Sequence, residues 1–307
     1  MAPVLFARIG LAALALAGCT APSADLPDPL LATDTYSSEI VRFSGECSEW
    51  DDWDKPAEPF RIHGNTWYVG TCGISAILVT GEDGHALIDS GTEAGADVVL
   101  ANIRKAGFDP ADIRVLLASH EHFDHVGGMA KLQAASGAPF IHSEEGVAVM
   151  LTGRDDPDDP QFGMHDPMAT LEEAMPYSYG NAPYLIDYHG ISPIPTPGHT
   201  PGAMSWSWQS CEGDDCRTVV YADSLSPISN DTYRFSDHPQ YLAAYREGFR
   251  RLRQTKCDIL LTPHPSASRM VARSATGTFV GGMTCEKYVE STEQRLDARL
   301  AKDNTGE

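Results

Sequence analysis

The sequence predicts a single α/β domain in four layers, helix–sheet–sheet–helix. Three observations carry that expectation. Short apolar strands alternate with amphipathic helices, and the same mixture recurs in both halves of the chain without a clean break. In addition, 307 residues with 42% apolar and 21% charged side chains suffice for one sizeable core. In order along the chain, residues 66–69, 76–80 and 86–89 read as short strands, the last two joined through the turn signal Glu82-Asp83-Gly84. Residues 95–106 have helical spacing, with Val98, Leu100 and Ile103 as apolar positions and Gly107 as the stop. A strand at 115–118 runs into a histidine cluster. It is followed by a helix at 129–135, a strand at 139–142 and a helix core at 146–151. From 152 to 184 the pattern gives way to Asp, Pro, Gly, Met and Tyr, a loop long enough to be functional or disordered. Strands return at 203–209, with Trp206 and Trp208, and at 218–222. A basic amphipathic helix at 241–253, a strand at 258–262 and a terminal helix at 288–301 complete the pattern.

The termini and charge bound the compartment. Residues 1–18 read as an export signal: Arg8 is the only charged side chain before Asp25, and the apolar run from Ile9 to Ala17 is too short to span a bilayer. Ala15-Leu16-Ala17 suits an ordinary signal peptidase, whereas Leu16-Ala17-Gly18-Cys19 resembles the lipobox of bacterial lipoproteins. Acylation of Cys19 would leave six cysteines able to pair completely in an oxidising envelope. Fifteen pairings of those six are open, and Cys211 and Cys216, flanking the turn-like Glu-Gly-Asp-Asp, form the most local pair. Residues 19–39, rich in Pro, Ala and Asp, read as a tether, and 40–307 as the domain. The expected location is the periplasm, with a possible lipid anchor through Cys19, and the expected state is a monomer. Twenty-two basic against 43 acidic residues, a formal charge of −21, exclude nucleic acid as a partner.

The chemistry concentrates in Ser119-His120-Glu121-His122-Phe123-Asp124-His125-Val126-Gly127-Gly128. Imidazole nitrogens and a carboxylate are the donors zinc accepts. In an extended segment residues two apart point the same way, so His120 and His122 can grip one ion and a following turn can offer Asp124 and His125 to a second. A zincin helix would need a second histidine at position 124, where Asp stands. Thr196-Pro197-Gly198-His199-Thr200-Pro201-Gly202 and Leu260-Leu261-Thr262-Pro263-His264-Pro265 each add a histidine in a Pro/Gly-constrained turn, which lowers the ordering cost of a site. His63, His85, His142, His165, His189 and His238 read as surface or core histidines.

HxHxDH followed by TPGHTPG resembles the signature of the metallo-β-lactamase superfamily, over essentially the whole chain from about Ile40. The resemblance implies that fold and two Zn2+ ions, one held by His120, His122 and His199 and the other by Asp124, His125 and His264. It further implies a water activated between the ions for hydrolysis, with Asp124 orienting it. Asp89, in Leu87-Ile88-Asp89-Ser90-Gly91, looks like a supporting residue.

Within the superfamily the chain is most similar to the subclass B3 β-lactamases. It has no cysteine in Tyr221-Ala222-Asp223-Ser224-Leu225-Ser226-Pro227, and Ser224 and Ser226 match the serines that hold the substrate carboxylate there. The resemblance also implies the pairs Cys47–Cys72 and Cys257–Cys285 beside Cys211–Cys216. The implied substrate is a small β-lactam: penicillins, cephalosporins and carbapenems, opened at the ring amide to give antibiotic resistance. The alternative is an exported lactonase or glyoxalase-like thioester hydrolase with Asp223 bridging the metals; a zinc-storing lipoprotein is the non-enzymatic reading. The 152–184 loop is expected to wall the groove, with Gln161 and Phe162 as further candidate substrate contacts. The run Asp155-Asp156-Pro157-Asp158-Asp159 reads as a solvated turn, and Trp50 and Trp53 as core packing.

Overall fold

The computed structural model describes residues 29–177 and 190–305, besides Met1. The expected signal, Cys19, the start of the tether, residues 178–184 of the long loop and His189 lie outside these residues.

Strands β3 (Ile77–Gly81), β4 (Gly84–Ile88) and β5 (Ile113–Leu117) are apolar on both faces because both faces are covered. Ile77, Val79, Ala86, Ile88, Val115 and Leu117 point toward a second sheet, into a core that includes Trp206, Val219, Tyr221 and Leu261. Leu78, Leu87 and Leu116 point the other way, onto Val99 and Ile103 of α2 (Gly95–Lys105) and Leu132 of α4 (Met129–Ser136). Beyond the second sheet, Val220 and Leu260 pack on Tyr245, Phe249 and Leu252 of α6 (Pro239–Gln254) and on Tyr288, Val289 and Leu296 of α8 (Cys285–Thr305). The result is the expected helix–sheet–sheet–helix sandwich in one domain.

The first sheet has the order β1 (Phe60–His63), β2 (Thr66–Tyr68), β3, β4, β5, β6 (Phe140–His142), β7 (Ala174–Pro176), antiparallel as far as β4 and parallel beyond. The second runs β11 (Ile259–Leu261), β10 (Asp215–Tyr221), β9 (Met204–Glu212), β8 (Ser192–Pro195), with β10 and β11 parallel. Parallel pairing matters here. It brings the carboxyl ends of β4 and β5, and those of β10 and β11, to common edges, where the candidate site residues follow.

Several elements differ from expectation. Helix α1 (Pro29–Glu46) begins inside the stretch read as a tether to residue 39; its Ile40 and Phe43, and Cys47 just after it, are buried in the inter-sheet core. Strand β7 lies inside the segment read as a structureless loop. Three disulfides join Cys47 to Cys72, Cys211 to Cys216 and Cys257 to Cys285.

Candidate metal centre

β5 ends at Leu117, and the next residues are clamped where the two sheets meet. Ser119 donates through its amide and hydroxyl to the Asp89 carboxylate at 2.6 and 2.8 Å, and its carbonyl accepts from Met204 of β9 at 2.7 Å. Tyr221 Oη donates to the same Asp89 at 2.6 Å. Asp89 is buried and left-handed (φ 63°), a strained backbone for a non-glycine residue, and it acts as the expected support.

His122, extended at φ −79° and ψ 151°, precedes α3 (Phe123–Val126), a single turn carrying Asp124 and His125. His199 sits in the turn between β8 and β9. There Gly198 has φ 153°, and a Cβ would collide with the Tyr245 ring at 2.1 Å, so only glycine fits. His264 follows β11.

These four segments converge. Ring centroids lie 4.9 Å apart for His120 and His122, 4.5 Å for His120 and His199, and 5.0 Å for His122 and His199. His125 lies 4.2 Å from His120 and 4.8 Å from His264. Donor atoms of His120, His122 and His199 fall within 4.8 Å of one another, as do those of His120, Asp124 and His125. Asp124 Oδ2, His125 Nε2 and His264 Nε2 form a triangle with sides of 3.1, 3.2 and 3.2 Å. Donors on a tetrahedral zinc with bonds of about 2.0–2.1 Å stand about 3.3 Å apart, so that triangle has the dimensions of one face of a zinc shell. His120 Nε2 is buried with no hydrogen-bond partner. An orphaned imidazole nitrogen facing other donors fits a cation.

Partners behind the rings fix which nitrogen faces inward. His120 Nδ1 lies 2.8 Å from Asp223 Oδ1, leaving Nε2 inward. His199 Nδ1 donates to the Ser226 carbonyl at 2.8 Å. His122 Nε2 lies 2.9 Å from Asp159 Oδ2, leaving Nδ1, and His125 Nδ1 faces Asp89 Oδ2 at 3.4 Å. Such outer partners set ring orientation and donor strength. Burial, with His125, His199 and His122 nearby, pushes His120 well below the usual histidine range, and burial takes His199 down to about 3. Both rings are therefore neutral at pH 7, the form that coordinates metal. Burial works against the Asp124 carboxylate, but His125 and His264 outweigh it and hold its pKa well below the usual range.

Asp223 corrects the bridging alternative. Its Oδ1 stands behind His120 and its Oδ2 accepts from Leu225 N at 3.2 Å, so neither oxygen lies between the two groups of donors. Burial raises its pKa to about 8. Asp159 corrects the reading of 155–159 as a solvated turn: it is 3% exposed, against His122 and the Gln161 amide. Glu121, set aside in sequence as a false zincin start, accepts from Thr200 Oγ1 at 2.8 Å and Gly202 N at 2.9 Å, pinning the His199 turn to the histidine cluster. Position gives a signal for it, because in an extended run the residue between two like-facing histidines points oppositely.

The candidate substrate contacts lie on segments that bond to the same centre. Ser224 Oγ and Gln161 Nε2 are buried and unpartnered. Ser226 Oγ donates to the Ser224 carbonyl at 3.3 Å. Trp53 is not core packing: its ring is 43% exposed, 5.9 Å from His264 and 5.6 Å from Phe123, while Trp50 is 88% exposed. Phe162 is half exposed. His165, read as a surface histidine, packs at 5.3 Å from His122 and 4.8 Å from Phe123.

The family model described as "Metallo-beta-lactamase superfamily" matches residues 69–264. The MIM-2 metallo-β-lactamase is 48% identical with a TM-score of 0.79, covering 86% of this chain and 98% of that one. MIM-1 from Novosphingobium pentaromativorans is 44% identical with a TM-score of 0.74 (83% and 93%). MEM-A1, a subclass B3 enzyme from a soil metagenome, is 34% identical with a TM-score of 0.78 (83% and 100%). Among curated relatives, the probable metallo-hydrolase YflN of Bacillus subtilis (strain 168) is 28% identical over 161 residues, and the chain spans 57% of its length. Six donor side chains, the layered fold and these likenesses together mean that the chain belongs to the metallo-β-lactamase superfamily and, within it, is most similar to the subclass B3 enzymes.

Proposed function

We propose that the chain is an exported β-lactamase that uses two zinc ions to open the ring amide of penicillins, cephalosporins and carbapenems, acting as a monomer in the periplasm. The observation that carries this reading is the convergence of His120, His122 and His199, and of Asp124, His125 and His264, into two groups of metal-type donors. Ser224 Oγ and Gln161 Nε2 are buried and unpartnered on segments that bond to those histidines. Such groups suit a small polar ligand whose carboxylate and amide can satisfy them. Its likeness to solved β-lactamases over most of its length supports the same reading.

In this proposal His120, His122 and His199 hold one ion and Asp124, His125 and His264 the other. Bound zinc supplies Lewis acidity toward the amide carbonyl and lowers the pKa of water toward neutrality. Asp124, on the first turn of α3, stays ionised and orients the attacking water as a hydrogen-bond acceptor, and a water at the site delivers the proton to the amide nitrogen. Ser224 and Ser226 donate to the substrate carboxylate, and Gln161 donates to its amide oxygen. Trp53, beside His264, walls one side of the approach. Asp223, with its Oδ1 behind His120, lends no support to the lactonase or thioesterase alternative.

The test is a panel of a chromogenic cephalosporin, a carbapenem, a lactone and a thioester, with and without a chelator. Hydrolysis of the first two, abolished by chelation and restored by zinc, is expected. Turnover confined to the lactone or thioester overturns the reading.

A further inference from the structure

Most cationic side chains of this acid-rich chain sit on carboxylates: Arg246 and Arg253 on Glu293, Arg250 and Arg251 on Glu247, Lys131 on Asp97. One cleft departs from that pattern. Between α7 (Met270–Ser274) and the start of α8, Arg269, Arg273 and Lys287 line a space of ≈ 370 Å³, bordered by one carboxylate, Glu49, whose Oε1 accepts from the amide of the lining residue Ala272 at 2.9 Å. Among the described residues, none of the three lies within 4 Å of a carboxylate oxygen, although the chain as a whole carries a formal charge of −21. The cleft shares no lining residue with the metal centre.

The cleft is also built, in three respects. Arg273 is anchored under Phe279, its guanidinium 5.3 Å from the ring centroid, and its bonds to Ser268 and the Phe279 carbonyl are long, at 3.3–3.4 Å. Its Nε is buried with no partner. Gly282, at φ 72°, closes the other side in ordinary van der Waals range, a Cβ there standing 3.5 Å from that Nε. Arg269 itself is left-handed (φ 57°, ψ 43°), a conformation that favours glycine, yet an arginine occupies it and projects an exposed guanidinium at the cleft. Burial opposes the Arg273 charge and pulls its pKa below the usual arginine range, with Glu49 partly offsetting this. An anion in the cleft would offset it further.

We propose that this cleft binds a phosphate-type oxyanion, free or as the headgroup phosphate of an anionic lipid, with Arg269 and Lys287 gripping it and Arg273 at its base. The guanidinium fork matches two oxygens of such an anion at once, and two arginines with a lysine suffice for a charge-assisted site. The site is independent of the hydrolytic reading above.

The experiment uses the full chain with its metals, freed of excess zinc, at low ionic strength where the screening length is about 20–30 Å. Inorganic phosphate and pyrophosphate are titrated calorimetrically, and vesicles of phosphatidylglycerol or of phosphatidylcholine alone are tested by co-sedimentation. Saturable binding of phosphate or pyrophosphate, or of phosphatidylglycerol but not phosphatidylcholine vesicles, is expected. The double variant Arg269→Ala/Lys287→Ala should weaken it at least tenfold with zinc content unchanged. Arg269→Gly should also weaken binding while leaving the Tm equal or higher, because glycine relaxes the left-handed backbone; this separates lost binding from lost folding. Binding of the dissolved anions alone identifies a free oxyanion as the ligand, and binding of the vesicles alone identifies the headgroup. No saturable binding by any probe, or equal binding by wild type and the double variant, which anion capture at the metal centre would give, overturns the proposal.

Discussion

Asp159 reaches His122 Nε2 at 2.9 Å from a loop 37 residues further on, while its other carboxylate oxygen accepts from Gln161 N at 2.7 Å. One buried side chain thus orients a candidate ligand and fixes the backbone of a candidate substrate contact. Removing the carboxylate leaves the His122 ring free to turn, and losses of outer partners of this kind typically cost about 10–100-fold in metal affinity. Asp159→Ala is expected to lower zinc affinity by about that factor in competition with a chromophoric chelator. Asp158→Ala, at the exposed neighbouring position, should leave it unchanged, and equal affinities for both variants would remove Asp159 from the site. The donors themselves are legible in sequence because HxHxDH and two rigid turns are local patterns. Asp159 is not, because Asp-Asp-Pro-Asp-Asp carries the composition of a solvated turn and only tertiary packing brings one of its carboxylates under His122. Trp53 misleads for a related reason: an aromatic residue is usually buried, and nothing local tells this one to lean over His264.

Elements rich in Val, Ile and Leu and lacking Pro are legible, and those held by their neighbours are not. Strand β8 reads Ser-Pro-Ile-Pro, yet prolines are tolerated because it is the edge strand beside β9, where one side needs no ladder donors. Strand β7, ending in Pro176, occupies the corresponding edge of the first sheet. Helix α1 has several Ser and Thr residues of modest helix propensity and is stabilised by packing of Ile40 and Phe43 on the inter-sheet core. Helix α5 (Glu144–Thr152) shows how an element end is tied to the site. Its N-cap, Ser143, accepts from Gly146 N at 3.1 Å and donates to the Gly202 carbonyl at 2.9 Å, three residues beyond His199. Ser143→Ala removes both a cap and a partly buried tertiary bond, so a loss of about 1–2 kcal/mol in urea unfolding is expected. Ser143→Thr, which keeps the hydroxyl, should recover most of it; if alanine costs nothing, the cap does not hold the His199 turn.

For the molecule as a whole, the layered architecture follows from alternating strands and helices, but its response to acid depends on a residue that sequence treats as ordinary. His142 ends β6 between the first sheet and α5, fully buried, with Nε2 donating to the Ala118 carbonyl at 3.1 Å and Nδ1 3.1 Å from Ser143 Oγ. Burial lowers its pKa from 6.5 to about 4, and the carbonyl of Ala118 only partly opposes this. The folded chain therefore keeps His142 neutral in a range where the unfolded chain binds a proton. The stabilisation is complete above about pH 6.5 and is lost as the pH falls toward 4, because protons then favour the unfolded state. At about 1.4 kcal/mol per pKa unit, the loss between pH 7 and 5 is about 2 kcal/mol, roughly a seventh to two-fifths of a typical domain's total stability. The contribution is isolated by comparing wild type with His142→Gln, both metal-free, in urea at the two pH values; the site histidines titrate alike in both and cancel in the difference. The glutamine side chain has no proton to gain, so the variant, though less stable at pH 7, should lose about 2 kcal/mol less on acidification. Parallel losses in the two proteins would mean that the interface between the first sheet and its covering helices admits the charged imidazole, and that acid sensitivity arises elsewhere in the sandwich.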